Sequence, residues 1–263
     1  PAKNPPIAHK TCENNLVHLQ MVFNYAKNDL GVIRINPARS VEIPKNGTDK
    51  VKEKGYSQSE LKAMWKALGD VQEEAKERPS RYWVPILCLY HGLRLNEACS
   101  LFLKDVYEDD ESVWVMDLNE DGDGKSLKNK SSIRIVPIHP FVLNDLGFRA
   151  FVETQKNDRE AGLLFSDVVF SERHKHRRRM TNWFKKWKKD WLPEASMHKH
   201  THDLRHTFIQ QAQNQAKMSD RCSQEITGHA IEGVSAVHLG YSGKLKPKAV
   251  LEELKELQYG WEN

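Results

Sequence analysis

Two short stretches restrict the fold more than any other feature of the chain. Residues 113–118, VWVMDL, and 133–138, IRIVPI, alternate apolar and polar side chains with a period of two, while the apolar residues around them recur at helical spacing. The segment between them, NEDGDGKSLKNKSS, has turn composition, so the pair reads as an antiparallel hairpin set into a helical chain. The expected class is therefore mainly α with a small antiparallel β-sheet (α+β).

The helices are marked by their ends. Residues 11–30 carry Leu16, Leu19, Val22 and Phe23 on one face and stop at Gly31. Ser57 and Glu60 form a capping-box pattern at the head of SQSELKAMWKAL. RYWVPILCLYH is an apolar helix ending at Gly92. Helical patterns resume near residue 140 and run to the end. Residues 36–55 mix Pro, Gly and charges with few apolar side chains, which is linker composition. The expected division is 1–45, a linker at 46–56, and a larger domain at 57–263. The tail, 246–261, reads as an amphipathic helix with Val250, Leu251, Leu254 and Leu257 on one face. It can pack on its own domain or dock on a neighbouring copy.

Length and composition fit a soluble globular protein: 263 residues, 29% charged and 39% hydrophobic. No apolar run approaches the ~18 residues of a membrane helix, and nothing resembles a secretory leader. Cys12, Cys88, Cys99 and Cys222 include no CxxC pair, which fits a reducing cytoplasm. The net charge of +4 matters less than its placement. Residues 173–189, RHKHRRRMTNWFKKWKK, hold nine Lys or Arg and no acid, whereas 105–124 hold nine Asp or Glu and no Lys or Arg. The basic block with its interleaved aromatics suits a nucleic-acid backbone, or else is a solvated helix face with its aromatics in the core. His174, Arg177, Arg178, Arg179, Lys185 and Lys186 are the candidate DNA contacts.

Residues 117–128 imitate a calcium loop, with Asp117, Asn119, Asp121 and Gly122 in register. The position that demands a bidentate Glu is Lys128, and the flanks read as strands. An acidic hairpin tip is the better reading, and no metal site is expected.

THDLRHTF, residues 201–208, places His202 and Arg205 on one face at the mouth of a helix. A phosphodiester there would meet a planar guanidinium and an imidazole. Taken alone, the motif is equally a capped helix with an exposed histidine. Its neighbours in the chain give it weight. GLRLNEACSL (92–101), LKNKSSIRIVPI (127–138), HDLRHTF (202–208), Gly228-His229 and Tyr241 follow in order. This succession resembles the tyrosine recombinase (phage integrase) family over residues 55–243.

The resemblance implies a catalytic set of Arg94, Lys128, His202, Arg205, His229 and Tyr241, with Lys130 as the alternative hairpin lysine. It implies attack by the tyrosine oxygen on a DNA phosphodiester, a 3′-phosphotyrosyl link, a free 5′-hydroxyl, and no cofactor. Arg94 and Arg205 would stabilise charge on the phosphate. His202 would accept or relay the phenol proton, the hairpin lysine would protonate the leaving oxygen, and His229 would donate to a phosphate oxygen. Glu97 and Asp203 would orient neighbours, Asp203 by capping its helix.

The implied partner is double-stranded DNA carrying attachment sites, bound by a homotetramer, with accessory proteins that bend DNA or set direction. The implied setting is the bacterial cytoplasm, on the nucleoid. Residues 1–45, ending INPARSVEI, resemble the C-terminal part of the family's helical core-binding (SAM-like) domain. Two departures stand out: His91 replaces a common Thr or Ser, and the interval from His229 to Tyr241 is long. Tyr259 is the only later tyrosine. A type IB topoisomerase and a non-catalytic DNA-binding relative are the competing readings.

Overall fold

The computed structural model describes residues 7–44, 54–127, 132–228 and 244–262. The chain separates into two compact units, Pro1–Glu53 and Lys54–Asn263. In the first unit, helix α1 (His9–Asn28) buries none of its residues, and Met21, Val22 and Tyr25 stand exposed. The segment after it returns along the helix through Asn36. The Asn36 amide donates to the Gln20 carbonyl at 3.1 Å and to Asn24 at 2.8 Å, and its own oxygen accepts from the Ala38 N–H.

The second unit starts at α2 (Gln58–Gln72). Ser57 Oγ accepts from the Glu60 N–H, and the Glu60 carboxylate accepts from the Ser57 N–H at 2.7 Å, so the capping box is closed on both sides. Helix α3 (Pro79–His91) is the core element: every residue of it but Arg81 is buried. It packs on α7 (Thr201–Asn214) and ends at Gly92, whose φ is 56°. A Cβ at Gly92 would lie 2.6 Å from the Phe208 ring, so both backbone conformation and packing demand glycine there. Helix α4 (Leu95–Cys99) follows two residues later.

Among the described residues the sheet has three strands, not the expected two: β1 (Val106–Glu108), β2 (Trp114–Leu118) and β3 (Arg134–Pro137), all antiparallel and in that order. Val106 pairs with Met116 and Met116 with Val136. The additional strand is three residues long and lies in the acidic stretch, too short to show alternation. Between β2 and β3, the Lys125 ammonium donates to Asp105 at 2.5 Å and to Asn119 at 2.6 Å, and it lies over the Phe102 ring. The acidic tip is thus closed around a cation of its own chain. Among the described residues, no group of three or more His, Cys, Asp or Glu is arranged to hold a metal ion.

Among the described residues, helices α5 (Phe148–Asp158), α6 (Arg178–Trp187), α7, α8 (Asp220–Thr227) and α9 (Pro247–Leu254) follow. Helix α9 packs on β3 and α8, within its own unit. It is shorter than the expected 246–261, because beyond Leu254 the chain anchors itself by single residues. Leu257 and Tyr259 are buried, the Tyr259 hydroxyl donates to the Leu89 carbonyl at 2.8 Å, and Trp261 stacks on Trp65. His139 accepts from the Phe141 N–H at Nδ1, so its Nε2 donates to the Leu257 carbonyl, 2.9 Å away. His91 in turn accepts the His139 N–H at 2.9 Å, and burial pushes its pKa to about 3. The unusual histidine is therefore a neutral core residue that braces the tail. Among the described residues, no helix is long and apolar enough to cross a membrane.

Candidate active site

The site is assembled around Glu97. Arg94 is the N-cap of α4, and Glu97 sits three residues on, where a carboxylate can reach back over the helix start. Its oxygens accept the Arg94 N–H at 2.9 Å and the Arg94 guanidinium at 2.6 Å. From the opposite side Arg134, on β3, donates to the same carboxylate at 2.9 and 3.3 Å. Burial alone would push the Glu97 carboxyl up, but Arg134 and then Arg94 hold it below its usual value. Glu97 is ionised and doubly paired.

Arg205 stands one helical turn into α7 and is only 1% exposed. Its guanidinium donates to the Gly92 carbonyl and to the Thr227 carbonyl, each at 2.6 Å. Burial first, and Arg94 next, lower its pKa to about 9, so it is still a cation at neutral pH. Among the described residues, no carboxylate is hydrogen-bonded to it. His202, three residues earlier, is exposed at the rim, with its ring edge-on to His206 at 4.8 Å. Partial desolvation, with His206 and Arg205 adding to it, lowers the His202 pKa, so the imidazole is neutral at pH 7 and able to accept a proton. Asp203 accepts the His200 N–H at 2.7 Å and so caps α7, as its position suggested.

Arg94 and His202 open onto a cleft of about 590 Å³ whose far wall is the basic segment, including Arg173, His174, Lys175 and Arg177. Aromatics of that segment are in the core and most of its cations are on the surface. Met180, Phe184 and Trp187 of α6 are buried, while Arg177, Arg178, Arg179, Lys185 and Lys186 are exposed. The helix divides the candidate DNA contacts. His174 and Arg177 border the cleft with Arg94, whereas Arg179 and Lys186 line a second basic cleft on its other flank, with Arg78 and Arg81. Lys128, Lys130, His229 and Tyr241 lie outside the described residues.

Residues 57–234 match the phage integrase family. The chain belongs to that family. No curated protein matches it in sequence. Solved structures agree on the fold at low identity. The Tn1549 transposon integrase in complex with a circular intermediate DNA superposes with a TM-score of 0.57 at 22% identity, over 96% of this chain and 80% of that one. The same integrase with transposon right end DNA gives 0.56 at 21%, over 95% and 80%. The XerH site-specific recombinase bound to its palindromic difH substrate gives 0.50 at 18%, over 91% and 70%. As a phage integrase family member, the chain is a tyrosine-type site-specific recombinase. The family match goes against the type IB topoisomerase reading.

Sequence reasoning did not single out Arg134, which the structure brings to Glu97. A signal was present: in β3 the inward positions are Arg134 and Val136, and an arginine on the apolar face of a strand needs a buried partner.

Proposed function

We propose that this integrase cuts DNA with Tyr241 and clamps the target phosphate between Arg94 and Arg205. The observation that carries this reading is the charge imbalance: two guanidiniums share the Glu97 carboxylate beside a basic cleft, and a third, Arg205, is buried nearby on two carbonyls. Among the described residues such a cluster has more cations than anions, and a phosphodiester entering a pentavalent transition state supplies negative charge. His202, neutral and exposed, takes the phenol proton or relays it. Lys128, or Lys130 in its place, protonates the leaving 5′-oxygen, and His229 donates to a phosphate oxygen. Lys125 is not available for that task because Asp105 and Asn119 hold it.

The other tyrosines support Tyr241 by their surroundings. Tyr56, Tyr90 and Tyr259 donate their hydroxyls to the His200 carbonyl, Glu262 and the Leu89 carbonyl respectively. Tyr82 is buried, and Tyr107 stands among aspartates that would repel a phosphate. Tyr25 belongs to the first unit.

Residues 1–45 act as the end of a core-binding domain, 46–56 as a linker and 57–263 as the catalytic domain. His174, Arg177, Arg178, Arg179, Lys185 and Lys186 contact the DNA backbone. The working form is a homotetramer on two attachment sites in the bacterial cytoplasm, moving a phage or genomic element with the help of accessory proteins.

The test is a nicked suicide duplex spanning the junction of the element that encodes the chain, incubated without metal and quenched in SDS. A covalent protein–DNA band made by the wild type and lost in Tyr241→Phe is the expected result. A band that survives in Tyr241→Phe refutes the nucleophile, and no band from an intact wild type that binds the duplex refutes the reaction.

A further inference from the structure

Arg134 makes more buried contacts than any role in strand pairing requires. Its side chain is 2% exposed. Besides its two bonds to Glu97, its Nε donates to the Ile226 carbonyl at 2.6 Å and its Nη1 to the Ser132 carbonyl at 2.8 Å. Each of these acceptors adjoins a different part of the catalytic set. Glu97 holds Arg94 by both backbone and side chain. Ser132 lies four residues after Lys128 and two after Lys130. Ile226 lies three residues before His229, at the end of α8.

The end of α8 has its own demand. Gly228, at φ 65°, stops the helix, and the carbonyls of its last turn have no partner within the helix. Ile226 O and Thr227 O are taken by Arg134 and Arg205 in turn. The helix dipole places partial negative charge at the same point, where two guanidiniums are favoured. A planar five-donor fork can serve three acceptors at fixed angles; a lysine cannot.

We propose that Arg134 is a positioning residue for the cleavage step: it sets the mutual placement of Arg94, the base of the β2–β3 hairpin and the end of α8. Arg134 does not touch the phosphate; Glu97 and the two carbonyls transmit its effect. The inference rests on the assignment of Arg94 as a phosphate ligand.

The experiment measures single-turnover formation of the covalent complex on the nicked suicide duplex at saturating DNA, with melting temperature and duplex affinity measured on the same samples. Arg134→Lys keeps the charge and loses the fork. Arg134→Met leaves Glu97 with Arg94 alone and can fail to fold. Arg134→Met combined with Glu97→Gln removes both buried charges, so the fold survives without an unpaired carboxylate.

The expected result is cleavage slower by about 100-fold in Arg134→Lys and in the double variant, since displacements of about 1 Å cost that much, with melting and affinity near wild type. Cleavage within about threefold of wild type in either folded variant overturns the proposal. Arg94→Ala, run alongside, separates the two failures: cleavage within about threefold of wild type in that variant overturns the underlying assignment, whereas normal cleavage by the Arg134 variants beside a slow Arg94→Ala overturns only the positioning role.

Discussion

Around Glu97 stand three guanidiniums; around Asp105 stands one ammonium. Both carboxylates are buried, and both accept from cations that are partly or wholly removed from water. The Asp105 cluster is balanced and closed: Lys125 meets one carboxylate and one amide oxygen, and an aromatic ring covers it. The Glu97 cluster is unbalanced and open. Arg134 and Arg94 share the carboxylate, Arg205 is left to two carbonyls, and Arg94 reaches the cleft. Burying charge is costly, and a balanced pair limits that cost. A surplus of buried cations carries the cost unrelieved until an anion arrives. Balance marks a structural site here, and surplus marks the reactive one.

The comparison predicts that the two clusters fail in different ways. Arg94→Ala should leave the fold standing, because Arg134 still pairs with Glu97, and should slow covalent-complex formation by about 10²–10³-fold, the usual effect of removing one donor to a developing oxyanion. Single-turnover cleavage beside a thermal melt checks both halves. A large fall in melting temperature, with cleavage per folded molecule preserved, would erase the distinction between the clusters.

The opposite pattern belongs to Lys125→Met. That change strands Asp105 in the interior and should cost about 3 kcal/mol of stability, while the folded fraction cleaves at the wild-type rate. Chemical denaturation reads the loss, and Asp105→Asn combined with Lys125→Met should recover most of it. A cleavage defect in a fully folded Lys125 variant would show that the hairpin tip is part of the reactive site.

What could be read from the sequence follows from how local each interaction is. The Ser57–Glu60 box and the Gly92 stop are decided within a few residues, and both form as expected, as does the antiparallel β2–β3 pairing. The proposed roles of Arg94, His202 and Arg205 come from motif order. Strand β1 is too short to have a period. The role of Arg134 depends on Glu97, 37 residues away, and on Ile226, 92 residues away, which no periodicity reports. Lys125 looked like one more charge in a turn until Asp105, 20 residues earlier, closed on it. The tail misled by its amphipathic pattern: Leu257 and Tyr259 are buried as expected of apolar residues, but by a chain that has already left the helix.

The smallest predicted effect probes the surplus directly, without any substitution in the wild-type arm. Inorganic phosphate or sulfate carries the charge and the tetrahedral oxygens of the missing partner, and Arg205 and Arg94 can donate to it in parallel. An anion that binds only the folded state stabilises it by RT ln(1 + [L]/Kd), about 1 kcal/mol at five times the dissociation constant. For a unit of this size that is a rise of about 2–4 °C in melting temperature. The rise should exceed that from chloride at matched ionic strength, which separates binding from screening. It should shrink in Arg94→Ala, which lacks one of the two donors, and persist in the Asp105→Asn and Lys125→Met pair, where the balanced cluster has been removed. Equal rises in all three proteins would mean that the anion is not read by the surplus at Glu97, and the contrast between the two clusters would lose its functional meaning.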